Sequence, residues 1–174
     1  MQKFLLALLL ICVSPIAYGY ANEFSPLRVP LEGYRPSYFL YGNPDTKVQV
    51  SFKVELVEHS RFFFAYSQLM FWDLRAKSAP FRDLNYNPEL FYRLPFYSDK
   101  NFIDLGFEHE SNGKGDEDSR SWNRAYVRVS GPTQLFNEPT LFASAKVWFA
   151  QSNKETNADL QRYRGVWELT LTAN

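Results

Sequence analysis

The sequence has no surplus of either charge: 19 Lys and Arg balance 19 Asp and Glu over 174 residues. Without a basic field there is little to displace counterions from phosphates, which argues against nucleic acid as the main partner. Cysteine is nearly missing too, with Cys12 standing alone, so no internal disulfide framework staples the chain. No apolar run of helix-spanning length follows the N-terminus and the mean hydropathy is −0.35, which excludes a helical membrane protein. Against these absences stand 16 Phe, 11 Tyr and 4 Trp, 18% of the chain. Strands with one wet face and one greasy face hide that many rings in a polar average.

The first residues read as a targeting segment. Lys3 precedes the apolar run Phe4 to Val13, and small residues follow at Ala17-Tyr18-Gly19 and Gly19-Tyr20-Ala21. This is the charged, apolar, small-residue order of a cleaved secretory signal. Residues 1–21 are expected to be removed, leaving 22–174 as one domain. Ile11 stands where a lipoprotein signal wants a small residue, so Cys12 reads as part of the leader and not as a lipid anchor.

Period-two alternation dominates the rest of the chain. In Lys47 to Leu56, Val48, Val50, Phe52, Val54 and Leu56 share one parity, and Lys47, Gln49, Ser51, Lys53 and Glu55 share the other. Ten such residues match the span of a tilted transmembrane strand. Similar segments lie at 38–41, 61–72, 90–96, 101–109, 123–129, 141–149 and 165–172. They are divided by turn-rich pieces at Gly42-Asn43-Pro44-Asp45, Ala79-Pro80, Asn87-Pro88, Gly131-Pro132, Asn137-Glu138-Pro139 and 153–159. The reading is all-β, an antiparallel meander of about eight strands. Rings at strand ends, as in Phe62-Phe63-Phe64 and Phe71-Trp72, suit an interfacial girdle and hence a transmembrane β-barrel. A soluble β-sandwich would alternate in the same way.

The chemistry concentrates in Asp104 to Arg124, DLGFEHESNGKGDEDSRSWNR. Strand parity puts Ile103, Leu105, Phe107, His109 and Ser111 on one face. A short loop folds the next strand back beside it, so Asn123 can sit across from His109. Singly, a Ser or Asn at a strand end is a cap or turn residue and a lone His is structural. Jointly they are a nucleophile, a base and an orienting group: a serine hydroxyl attacks poorly until an imidazole takes its proton, and the imidazole needs a third group on its other nitrogen. His59, between Glu58 and Ser60, has no such neighbours and reads as a surface residue.

The runs PFRDLNYNPELF (Pro80 to Phe91) and GFEHESNGKGDEDSRSWNRAYVR (Gly106 to Arg128) closely resemble outer membrane phospholipase A. That family is a twelve-stranded barrel that hydrolyses membrane phospholipids with calcium as an activated dimer. The likeness spans about residues 38–172, and HxSNG followed by SRSWNR is its most specific part. It implies Ser111 as nucleophile, His109 as general base, Asn123 as the residue orienting His109, and the Gly113 amide as oxyanion donor. It implies Ca2+ held by the Ser119 hydroxyl and, where the family has arginine, by the Lys114 carbonyl, with Ser78 supplying a carbonyl to the site of a partner subunit. Asp116, Glu117 and Asp118 add oxygen donors suited to a hard cation, although a solvated acidic loop would look the same. Gln68, on the parity of Phe64, Tyr66 and Met70, falls at the polar position of the family's homodimer interface, where an amide facing hydrocarbon wants a partner.

One departure stands out. At roughly 18–20 residues per strand and connection, the chain supplies about eight strands where the family has twelve, so it is expected to be cut short on its C-terminal side. A smaller closed barrel and completion by a second copy are the other readings. The inward parity carries Lys47, Lys53, Glu55, Arg93, Asp104, Glu108, Arg124, Arg128 and Lys146, charges of both signs that can pair across a lumen. The sequence thus points to a calcium-dependent phospholipase A1/A2 of the bacterial outer membrane, acting on bilayer phospholipids; the rivals are an inactive barrel relic and a structural outer-membrane protein.

Overall fold

The computed structural model describes residues 30–133, 141–152 and 160–173. The leader expected at 1–21 and the turn pieces at 137–139 and 153–159 lie outside them. Among the described residues nine strands form one antiparallel sheet: β1 (Leu31–Gly33), β2 (Tyr38–Leu40), β3 (Thr46–Glu55), β4 (Phe62–Trp72), β5 (Phe81–Phe96), β6 (Ser98–Ser111), β7 (Ser121–Thr133), β8 (Leu141–Ser152) and β9 (Trp167–Ala173). From β3 onward each strand pairs with the next, as a meander requires, while β1 and β2 both pair with β3. A single sheet overturns the sandwich alternative, which needs two sheets packed face to face.

The alternation read from sequence sets the two faces. On β6, Asp104 and Glu108 are fully buried, whereas Leu105 and Phe107 between and beside them are about half exposed, at 46% and 52%. The same rule puts Trp122, Arg124 and Tyr126 of β7 inside and Val127 and Val129 outside. The buried side is concave. Tyr34 follows β1, and Arg128 of β7 lies five strand spacings away, about 24 Å across a flat sheet, yet Arg128 Nη1 donates to the Tyr34 hydroxyl. Only a sheet curled into a trough brings them together.

Ion pairs line that trough. Asp104 accepts from Arg93 Nε at 2.8 Å and from Arg128 Nη2 at 2.7 Å. Glu108 accepts from Arg35 at 2.8 Å, from Arg124 at 2.7 Å and from Lys146. Glu89 accepts from the hydroxyls of Tyr34 and Tyr126. Buried carboxylates of this kind persist only when their lone pairs are taken by cations and hydroxyls. Phe63 and Phe91 stack beneath them with ring centres 5.1 Å apart. Lys53 pairs with Glu32 at the β1 edge, and Lys47 lies over the Phe71 ring.

Two expected turns need correcting. Gly131-Pro132 lies inside β7, paired with Ala143 and Phe142. Asn87-Pro88 is not a turn; it lies inside β5, which starts at Phe81 and not near Leu90. Proline lacks the ladder donor, and the pairing of β5 with β6 skips residues 87 and 88. Asn87 Nδ2 donates to the His109 carbonyl at 3.3 Å, so a side chain makes the bond that the main chain cannot. β1 and β2 pair with successive parts of β3 and fill one position, which leaves the expected eight positions across the sheet; β1 itself is too short for alternation to reveal. Among the described residues β1 and β9 pair on one side only, so the sheet is a half-barrel.

Candidate active site

The strand register brings the three polar residues onto the convex face together. His109 of β6 is paired with Asn123 of β7, and Ser111 with Ser121. Asn123 Oδ1 lies 2.8 Å from His109 Nδ1, which places the proton on Nδ1 and leaves Nε2 as the acceptor. His109 and Ser111 are both half-buried. Two residues apart on one strand, their Cα atoms are about 6.6 Å apart, a gap that side-chain rotation spans. No hydrogen bond joins them among the described contacts, and such bonds commonly tighten only when substrate is bound.

Polar groups on this face form two adjacent rows. One row runs Gln68, Tyr86, Ser111 and Ser121 across β4 to β7. The other carries Tyr66, Pro88, His109 and Asn123. The next row, Phe64, Leu90, Phe107 and Ala125, is apolar throughout. Gln68 therefore shares Ser111's row two strands away, about 10 Å. Its Oε1 accepts from the Tyr66 hydroxyl at 3.1 Å.

Beyond Ser111 the chain turns through residues 112–120. Gly113 adopts φ 65°, and a Cβ there would stand 2.6 Å from the Tyr86 ring. Glycine alone meets both demands. The turn continues through a short 3-10 segment, Asp116–Asp118. The Asp116 side chain lies outside the described set. Among the described residues no group of three His, Cys, Asp or Glu converges to hold a metal, so Glu117 and Asp118 make no carboxylate cage. The loop carbonyls of Glu117, Asp118, Ser119 and Arg120 are taken by Arg120 and Asn112; the Ser119 hydroxyl and the Lys114 carbonyl are outside that bracing. These oxygens have the chemistry of a hard-cation site but not its number, since calcium takes about six to eight.

At the same end of the sheet, residues 73–80 connect β4 to β5. Asp73 Oδ1 accepts from the Arg75 and Ala76 amides, and Trp72 Nε1 donates to the Ala79 carbonyl at 2.8 Å. This frame holds exposed Ser78 at φ 71°. His59 lies at the opposite end, with its side chain 89% exposed, in keeping with its reading as a surface residue.

Sequence reasoning missed the supports of the site. Glu110, pointing inward between His109 and Ser111, accepts from Trp122 Nε1 at 3.1 Å, from Arg124 at 2.8 Å and from Arg164. Arg164 belongs to a short helix, Leu160–Arg164, in the β8–β9 connection. The parity of Glu110 and Arg124 is visible in the sequence, but their convergence needs the register. Tyr86, under Gly113, is signalled only by its place in the NYNP run.

Comparison with known proteins bears on the fold and the family. The phospholipase A1 of Proteus vulgaris is 32% identical over an alignment of 174 residues, covering 90% of this chain and 55% of that protein. The phospholipase A1 of Escherichia coli K12 is 34% identical over 116 residues, 62% of this chain and 38% of that one. The chain thus spans about four- to six-tenths of the length of these relatives. Outer membrane phospholipase A from Escherichia coli superimposes with a TM-score of 0.68 at 25% identity, over 81% of this chain and 70% of that one. The Salmonella typhi outer membrane phospholipase dimer with bound calcium gives 0.60 at 28% identity, over 73% and 52%. The family model for phospholipase A1 matches residues 20–174, and the chain belongs to the phospholipase A1 family.

Proposed function

We propose that the chain is an outer-membrane phospholipase that hydrolyses acyl esters of bilayer phospholipids, at both the A1 and A2 positions, from its convex wall. The observation that carries this reading is the 2.8 Å contact between His109 Nδ1 and Asn123 Oδ1 beside the apolar row of Phe64, Leu90, Phe107 and Ala125, with Ser111 two residues along. Polar side chains aimed at hydrocarbon are costly without a use. Substrate reaches such a site sideways from the bilayer. The long connections at 73–80 and 112–120 share its end of the sheet, as extracellular loops do in these barrels. A leader at 1–21 would be cleaved on the way to that membrane.

In this mechanism the Ser111 hydroxyl attacks the acyl carbonyl carbon while its proton passes to His109 Nε2. Asn123 holds the ring and the Nδ1 proton in place, although a neutral amide stabilises the imidazolium less than a carboxylate would. The Gly113 amide donates to the carbonyl oxygen as it becomes negative. The lysophospholipid alkoxide leaves with the proton from His109, and water then frees the fatty acid from Ser111 by the same route. Bound calcium would add Lewis-acid stabilisation at the acyl oxygen. The Ser119 hydroxyl and Lys114 carbonyl would hold it, with Asp116 nearby and the Ser78 carbonyl supplied from a second copy. The shortage of ligands in one chain and the place of Gln68 on the row of Ser111 both favour a homodimer.

Ser111→Ala should abolish calcium-dependent fatty-acid release from phospholipid vesicles and leave membrane insertion intact. Undiminished release would remove Ser111 from the mechanism. The rival reading, an inert barrel relic, draws on the one-sided pairing of β1 and β9. A heat-dependent gel shift after refolding in detergent marks a closed barrel and favours the enzyme, and no shift favours the relic.

A further inference from the structure

Asn112 stands between the proposed nucleophile and the proposed oxyanion donor, and it is bonded to both ends of the loop beyond it. Its backbone N–H donates to the Arg120 carbonyl at 3.0 Å. Its Nδ2 donates to the Asp118 carbonyl at 2.8 Å, and its Oδ1 accepts from the Arg120 amide at 3.0 Å and the Lys114 amide at 3.3 Å. Arg120 completes the closure, with Nη1 donating to the Glu117 and Ser119 carbonyls at 2.7 and 2.9 Å. One short side chain therefore fixes the start, middle and end of a loop with little apolar packing: Gly113, Lys114, Gly115, Glu117 and Asp118 are all exposed, and the Tyr86 ring lies only against Gly113.

The groups tied down are those next to the proposed chemistry. Lys114, whose amide bonds to Asn112, presents the proposed carbonyl ligand. Asp118 and Arg120 flank Ser119, the proposed hydroxyl ligand. Gly113, held between Asn112 and Lys114, presents the proposed oxyanion amide. An exposed loop this polar would sample many conformations without internal bonds, because ordering its backbone costs entropy that little burial offsets. Three side-chain hydrogen bonds, each worth several-fold in the population of the ordered state, bias it toward one shape before any ligand arrives.

We infer that Asn112 is a positioning residue that preorganises the 113–120 loop, holding the Gly113 amide, Lys114 carbonyl and Ser119 hydroxyl in place ahead of cation and substrate. The inference rests on the phospholipase reading for its consequence but not for its geometry. Asn112 itself touches no reacting atom. Its loss should therefore weaken cation binding and turnover, and leave bilayer substrate binding alone.

The test uses the full chain refolded in detergent, with Asn112→Ala and Asn112→Asp. The Asp variant keeps both accepting bonds and loses the donor to Asp118. Hydrogen exchange of residues 113–120 without calcium reads the loop directly. Terbium luminescence, sensitised by the tryptophans, reads cation binding. Asn112→Ala should speed that exchange about tenfold or more and raise the half-saturating terbium and calcium concentrations about tenfold. Its kcat should fall at low calcium and recover at high calcium, with KM unchanged; Asn112→Asp should lie between Ala and wild type. Unchanged exchange and cation affinity in Asn112→Ala would overturn the inference, as would a change confined to KM. Should Asn112→Ala give no folded gel shift, Asn112→Asp decides by the same readouts. If the wild-type chain releases no fatty acid, the phospholipase reading falls, while exchange and terbium still decide the role of Asn112.

Discussion

The two faces of β6 carry comparable numbers of polar groups and treat them oppositely. Inward, Asp104, Glu108 and Glu110 are each met by two or more cationic or indole donors. Outward, His109 has one side-chain partner, Asn123, and Ser111 lies beside it on a wall of Leu105, Phe107 and Val127. A buried carboxylate without its cations is costly, so the inward carboxylates are saturated. The proposed nucleophile and its base would need open valences toward substrate, and the outer face leaves them. Saturation of hydrogen bonding separates the inward carboxylates from the proposed catalytic groups.

The largest test of that contrast lies inside. Glu108→Ala leaves Arg124 and Lys146 buried beside an empty place, with the one-third-exposed Arg35 at its rim, and should cost about 3–5 kcal/mol of stability. Urea unfolding of the refolded chain followed by tryptophan fluorescence measures it. Its residual activity per folded molecule should stay close to wild type. Outside, substitution of half-buried Asn123 by Ala should do the reverse: kcat falls about 10- to 100-fold as the imidazole loses its orienting acceptor, while the unfolding midpoint moves far less than in Glu108→Ala. A stability loss from Asn123→Ala matching that of Glu108→Ala would erase the distinction between the faces.

Much of this is legible in sequence for a simple reason. A period of two assigns every residue of a strand to a face, so the inward charges of β6 and β7, the outward position of Gln68 and the pairing of His109 with Asn123 all come from parity and a short loop. Leu31–Gly33 is illegible because three residues cannot display a period. Asn87-Pro88 misleads because proline signals a break, and whether the neighbouring strand tolerates the missing donor depends on a side chain reaching the His109 carbonyl, which no local pattern encodes. The clamp by Asn112 is hidden for a related reason: its partners are main-chain atoms of Lys114, Asp118 and Arg120, and their positions depend on the path of the turn. Side chains that meet side chains across a register can be read in advance, whereas those that meet irregular backbone cannot.

The direction in which the site faces admits a direct measurement. With Cys12 replaced by serine, nitroxides can be placed one at a time through Leu105→Cys, Phe107→Cys and Ser111→Cys on the outward parity, and through Asn85→Cys, which lines the trough, in the chain refolded into phospholipid vesicles. Collision with dissolved oxygen reports lipid, and collision with a water-soluble nickel chelate reports an aqueous or lumenal setting. Oxygen should dominate at 111 as it does at 105 and 107, in contrast to 85. A label at 111 that collides chiefly with nickel while 105 and 107 stay in lipid would contradict a hydrolase that works from the bilayer side.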